Sequence, residues 1–232
     1  MKLHRQAEQR ARSQTDLTIK QRATRILTAL AKAIPHARVE LDYQNPLQLL
    51  MATILSAQCT DQRVNLVTPA LFRKYPRAED YANADPTELE TLIRSTGFFK
   101  SKARSLIACA RALLQRFGGQ VPDTMEALVS LPAVGRKTAN VLLGACFEKP
   151  AVVVDTHVKR VAFRLNLTTS EDPDIIEQDL QRVIPVSQWS SGSQRLLLHG
   201  RYVCVARRPK CERCPIYELC PWEGKWPKPS KA

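Results

Sequence analysis

The chain has 232 residues, 44% hydrophobic and 25% charged, with 35 Lys and Arg against 22 Asp and Glu and a net charge of +13. This apolar fraction is enough for one large core or two modest ones, and excludes disorder as the main state. The opening segment MKLHRQAEQRARSQTDLTIK is basic and polar, without the apolar run and small-residue cleavage site of a secretory signal. Glu8 and Asp16 speak against a transit peptide, and no later apolar run approaches membrane-spanning length, so the expectation is a soluble, intracellular protein with no membrane role. The basic excess implies a polyanionic partner, most often nucleic acid, with anionic membrane as the rival. It is concentrated at the ends: residues 1–24 hold six Lys/Arg and two acids, and residues 201–232 hold eight and three.

Apolar residues recur at helical spacing almost throughout, with no alternating strand pattern, which predicts an all-α fold. Ile19, Ala23, Ile26, Leu27, Leu30 and Ile34 form one stripe ending at Pro35, and Leu47, Leu50, Met51, Ile54 and Leu55 form a second. Asp85 with Pro86 and Glu88 predicts a capped helix start, and Asp123 with Glu126 predicts another. Between them, Ala103, Leu106, Ile107, Ala110, Leu113, Leu114 and Phe117 mark a long helix. Cys59, Cys109 and Cys146 fall on apolar helical segments and read as small core residues.

In SLPAVGRKTANVLLGACF (130–147), Leu131, Pro132 and Gly135 interrupt the helical pattern, and Ala139, Leu142, Leu143 and Cys146 restart it. A tight turn feeding a helix N-terminus exposes unpaired backbone N–H groups that suit a phosphate oxygen. Such a contact grips DNA without reading its sequence. At 100° per residue, Lys137 projects about 160° from Ala139, away from the apolar stripe. Further on, AVVVDTHVKRVAFRL places Asp155 between an apolar run and a helix, as an N-cap that could also face the lysine. The stripes Val158, Val161, Ala162, Leu165 and Ile176, Leu180, Val183, Ile184 follow, and then a helix near 188–203.

That helix leads into CVARRPKCERCPIYELC (204–220), with Cys204, Cys211, Cys214 and Cys220 spaced C-x6-C-x2-C-x5-C. In a reducing compartment such a group favours metal over disulfides. Zinc and an iron-sulfur cluster both accept four thiolates, and the single short Cys pair leans towards iron-sulfur. Arg207, Arg208 and Lys210 then lie on a loop pinned at both ends, suited to phosphate contact.

LPAVGRKTANVLL, then VVVDTHVKRV, then the four cysteines resemble the endonuclease III family of helix-hairpin-helix DNA glycosylases, with LSAQCTD (55–61) and GFFKSKA (97–103) as further matching segments. The resemblance runs from about residue 20 to 222. It implies two helical domains with DNA bound in the cleft between them. One is a six-helix barrel over 39–151 carrying the hairpin, and the other is a discontinuous iron-sulfur domain of 17–38 and 152–222 holding a 4Fe-4S cluster. A basic arm (1–16) and a tail (223–232) flank them.

The resemblance also implies a monomeric enzyme of a bacterial or archaeal cytoplasm, associated with the nucleoid. It would act on double-stranded DNA bearing a damaged base or an abasic site, and remove oxidised pyrimidines in base excision repair. Lys137 takes the family's nucleophilic lysine position and Asp155 its essential aspartate position. Leu131, Val134, Gly135 and Arg136 fall on the DNA-gripping hairpin, while Gln58 and Phe98 match the positions that fill the gap left by a flipped nucleotide and wedge the opposite strand. Phe98 departs from the usual aliphatic residue, and Ala133 stands where the hairpin usually has glycine. A monofunctional mismatch glycosylase is disfavoured by Lys137. A non-catalytic iron-sulfur DNA-binding protein is disfavoured by Lys137 and Asp155 together.

Overall fold

The computed structural model describes residues 2–226, with side chains described from residue 18 onward. Every regular element among them is helical. By contact the chain divides into two compact units, Met1–Arg38 with Pro150–Ala232, and Val39–Lys149.

In the first unit, α1 (Lys2–Ala33) runs through the basic arm without a break, because no Pro or Gly precedes Pro35 and helix formers such as Ala7, Glu8, Gln9 and Ala11 fill its start. Its apolar stripe lies against α9 (Thr156–Arg164), α10 (Pro173–Val183) and α11 (Trp189–Tyr202), with Ile26, Leu30, Val161, Ile176, Leu180 and Leu196 wholly buried. Helices α9 and α11 pack closely at Gly200, where an added Cβ would lie 2.9 Å from Val161 Cγ2 and 3.0 Å from the His157 carbonyl oxygen.

The second unit is built from α2 (Pro46–Leu55), α3 (Asp61–Lys74), α4 (Ala78–Ala82), α5 (Pro86–Ile93), α6 (Phe99–Phe117), α7 (Met125–Val129) and α8 (Arg136–Cys146). Leu50, Leu71, Tyr81, Leu89, Leu106 and Leu113 fill its core. Asp85 caps α5, accepting from Glu88 N–H at 2.8 Å. Asp123 does not cap α7. Thr124 does, accepting from Ala127 N–H, and the Asp123 carboxylate instead pairs with Lys149 at 2.7 Å. Two adjacent capping-type residues compete for one position, and the nearby ammonium draws the aspartate away. Cys109 is buried in this core, and burial pushes its thiol up to about 12.

Candidate DNA-repair site and iron-sulfur centre

The turn between α7 and α8 sets the geometry of the hairpin. Leu131 and Val134 turn their side chains into the core, 3% and 5% exposed, so only their backbones can meet a ligand. The Val134 N–H closes the turn on the Leu131 carbonyl at 3.2 Å. Ala133 between them has φ +63°, the left-handed region that alanine enters only at a cost. Gly135 is extended (φ −92°) and serves as the N-cap of α8 without any side-chain cap bond. A Cβ there would meet open space, so the missing side chain leaves the backbone approachable rather than relieving an internal clash. Arg136 and Lys137 follow in the first turn, both exposed, with Ala139, Leu142 and Leu143 buried on the opposite face.

Asp155 ends the extended segment Ala151–Val154, all four residues of which are buried. That segment is tied to α11, Ala151 N–H donating to Ser190 Oγ at 3.1 Å and Val153 N–H to Ser193 Oγ at 3.2 Å. The half-buried Asp155 caps α9 through one oxygen, Oδ1, which accepts from both His157 and Val158 N–H at 2.8 Å. The ring of His157 is held by Arg160, 3.2 Å from Nδ1.

Gln58 and Phe98 both sit in turns that precede helices, and both are left-handed, with φ of 52° and 48°. Gln58 is exposed and caps nothing, because Thr60 caps α3. Phe98 is 66% exposed, so its ring belongs to no core. Strained residues with outward side chains are characteristic of ligand-clamping turns.

Cys204, Cys211, Cys214 and Cys220 line one cavity, together with Val161, Leu165, His199 and Trp222. Among the described residues, no three His, Cys, Asp or Glu side chains are placed to hold a single metal ion. Four thiols spread around an apolar cavity suit a polynuclear cluster, whose irons would take one thiolate each. Burial, and then the neighbouring cysteine thiolates, raise Cys214 to about 11 despite a backbone hydrogen bond that lowers it, a repulsion that bound iron would reverse. Arg164 donates to Cys204 Sγ at 3.3 Å and to the Val205 and Ala206 carbonyls at 2.9 and 3.0 Å. Arg160 Nε donates to the Cys204 carbonyl at 3.0 Å. His199, 2% exposed, places Nε2 3.8 Å from Cys214 Sγ, and burial lowers it to about 4, so it stays neutral. The loop carrying Arg207, Arg208 and Lys210 leaves both arginines exposed, Arg208 with φ 54°.

The hairpin thus presents an approachable helix start without a side-chain cap and the exposed Lys137 in its first turn, and the four cysteines share one cavity. Residues 51–186 match the HhH-GPD superfamily of base excision DNA repair proteins, and residues 204–220 match the iron-sulfur binding domain of endonuclease III. Curated relatives include the endonuclease III of Synechocystis sp., 54% identical over 87% of this chain and 93% of that protein. The Bacillus subtilis endonuclease III is 43% identical over 84% and 89%, and that of Escherichia coli K12 is 38% identical over 86% and 95%. Among solved structures, a trapped endonuclease III–DNA covalent intermediate and a non-covalent endonuclease III–DNA complex each superpose with a TM-score of 0.83 at 43% identity, covering 87% of this chain and 95% of the other. The chain belongs to the endonuclease III family: it is a base excision repair enzyme, a DNA glycosylase with AP lyase activity, DNA is its partner and a 4Fe-4S cluster its cofactor.

Sequence reasoning passed over Lys102, His199, Arg164 and Trp222. Lys102 and Arg164 lie inside the quoted segments GFFKSKA and AVVVDTHVKRVAFRL, but as basic residues on helical stripes they carried no signal of their own, and neither did His199 or Trp222. None of the described helices is long and apolar enough to cross a membrane.

Proposed function

We propose that this chain acts as a monomer on duplex DNA, removes oxidised pyrimidines and cuts the strand at the resulting abasic site, with Lys137 as nucleophile and Asp155 as its carboxylate partner. The reading is carried by the exposure of Lys137 at the uncapped start of α8, in a chain 43% identical to an endonuclease III trapped covalently on DNA.

The target nucleotide leaves the stack at a cost of a few kcal/mol. Backbone N–H groups at Gly135 and the start of α8 bind a phosphate, with Arg136 beside them and the exposed Arg207 and Arg208 adding charge, together with Lys210. The Gln58 side chain fills the gap in the duplex while the Phe98 ring stacks on the opposite strand, a flat surface where an aliphatic residue would only wedge. The neutral Lys137 amine attacks the sugar C1′. The C1′–N bond breaks, and its electron pair leaves with the base, which takes up a proton. Asp155 Oδ1 is committed to the cap of α9, and Oδ2 stabilises positive charge developing on the sugar or accepts a proton from the amine. The nitrogen lone pair then forms the C1′=N bond of a Schiff base on Lys137 as the C1′–O4′ bond breaks and O4′ takes up a proton, and this imine acidifies the C2′ hydrogen. Loss of that proton expels the 3′ phosphate by β-elimination.

When bound by Cys204, Cys211, Cys214 and Cys220, the cluster supplies structure, fixing both ends of the basic loop. Acting on chromosomal DNA in a cell such as those of its bacterial relatives, the protein would work in the cytoplasm, at the nucleoid. A nicking assay tests the reading. Duplex carrying one thymine glycol should be cut to a β-elimination end without alkali, whereas base loss that needs alkali to reveal it would identify a monofunctional glycosylase.

A further inference from the structure

Lys102 is a charged side chain that the chemistry above does not use, yet it is only 5% exposed, in the second turn of α6. Its ammonium donates to the Thr96 carbonyl at 2.8 Å. Burying an ammonium with so few acceptors is costly, and the desolvation holds it below the usual lysine range, opposed by Cys59 within electrostatic reach. A methionine would fill the same space without that cost, so core stability does not account for the charge.

What Lys102 touches does. Thr96 is itself 2% exposed, its hydroxyl bound to the Ile93 carbonyl at 2.8 Å. Immediately after it come Gly97 and Phe98, with φ of 71° and 48°. A phenylalanine holds a left-handed conformation only where its surroundings over-determine it. The fixing bonds are Gly97 N–H to Arg94 O at 3.3 Å, Lys102 N–H to Phe98 O at 3.0 Å and the Lys102 ammonium to Thr96 O.

We propose that Lys102 is a positioning residue for base extrusion: its buried ammonium pins the Thr96 carbonyl, and so the turn that presents Phe98. This rests on the reading of Phe98 as a residue that enters the duplex. One buried cation behind a strained turn holds the wedging side chain in a fixed place as it enters the helix.

The test compares wild type, Lys102→Met, Lys102→Arg and Phe98→Ala on two substrates in single turnover. The first is a thymine glycol duplex, developed with alkali to read base removal. The second is a single-stranded oligonucleotide with a preformed abasic site, which has no paired base to extrude. Lys102→Met should slow base removal by about tenfold, the scale of a small misplacement of reacting groups, as should Phe98→Ala. Nicking of the single strand should stay within about twofold of wild type, because Lys137 is untouched. Lys102→Arg, which keeps the cation and its donors, should recover most of the base removal, and the melting temperature of Lys102→Met should not fall. If Lys102→Met is unstable, Lys102→Gln takes its place.

Base removal unchanged in Lys102→Met but slowed in Phe98→Ala overturns the role of Lys102 and leaves the wedge reading standing. Equal losses on both substrates overturn it too, as would an arginine variant as slow as methionine. Phe98→Ala as fast as wild type removes the wedge reading, and the role of Lys102 with it.

Discussion

The Arg164 guanidinium stacks 4.0 Å from the centroid of the Trp222 ring, and from there one of its nitrogens reaches Cys204 Sγ at 3.3 Å. The first and last parts of the cysteine segment are thus joined through one side chain of α9. Lysine cannot reproduce this contact, because it lacks both the planar face and the forked donors. Arg164→Lys is therefore expected to shorten the lifetime of the cluster several-fold, followed as decay of its visible absorbance on warming. Duplex affinity should weaken in parallel, since the loop with Arg207 and Arg208 starts at Cys204. An unchanged decay rate would show that the thiolates alone hold the loop.

Asp155 combines two roles that one substitution separates. Asparagine keeps an oxygen that can accept from His157 and Val158 N–H, so Asp155→Asn should fold normally, whereas Asp155→Ala should cost about 1 kcal/mol by losing the cap. Both should lose most base removal if the negative charge is what matters. Paired melting curves and excision rates check this: an active asparagine variant would reduce Asp155 to a cap.

Ala133 is strained in the hairpin turn. Its φ of +63° suits glycine, so Ala133→Gly should stabilise the fold by about 0.5–1 kcal/mol in denaturant unfolding. Removing the methyl group also lets a phosphate approach more closely, and affinity for an abasic duplex should rise. A destabilised glycine variant would contradict the strain.

Gly200 holds the other end of the Asp155 support. A methyl group there would lie 2.9 Å from Val161 Cγ2 and 3.0 Å from a backbone oxygen of α9, which cannot yield without moving the helix. Gly200→Ala should cost about 1–3 kcal/mol and lower base removal more than DNA affinity, because it shifts the helix that Asp155 caps. Melting temperature, excision rate and binding together report the outcome.

Much of this was legible in the chain. The helical stripes follow from spacing, Asp85 from its position before Pro86 and Glu88, and Lys137 from its angle to Ala139. Asp123 was misleading because the nearby Thr124 competes for the cap and Lys149, distant in sequence, decides the contest. Backbone strain at Gln58, Phe98 and Arg208 leaves no signature in residue type, since none is glycine or asparagine. Ala133 was suspect only because the family usually has glycine there. Lys102, Arg164 and His199 were hidden for a different reason. A basic residue on an amphipathic helix is usually solvated, and only tertiary packing reveals the few whose charged or ring nitrogens turn inward.

The central claim is that Lys137 forms the covalent link to DNA, and borohydride trapping tests it most directly. Purified wild type, Lys137→Ala and Asp155→Asn would be incubated with duplex carrying one thymine glycol, and separately with an abasic duplex, in the presence of borohydride. A reduced protein–DNA adduct should form with wild type on both and with Lys137→Ala on neither. An adduct that persists in Lys137→Ala would assign the nucleophile to another amine, and no wild-type adduct even on the abasic duplex, with the cluster's absorbance intact, would contradict the lyase mechanism.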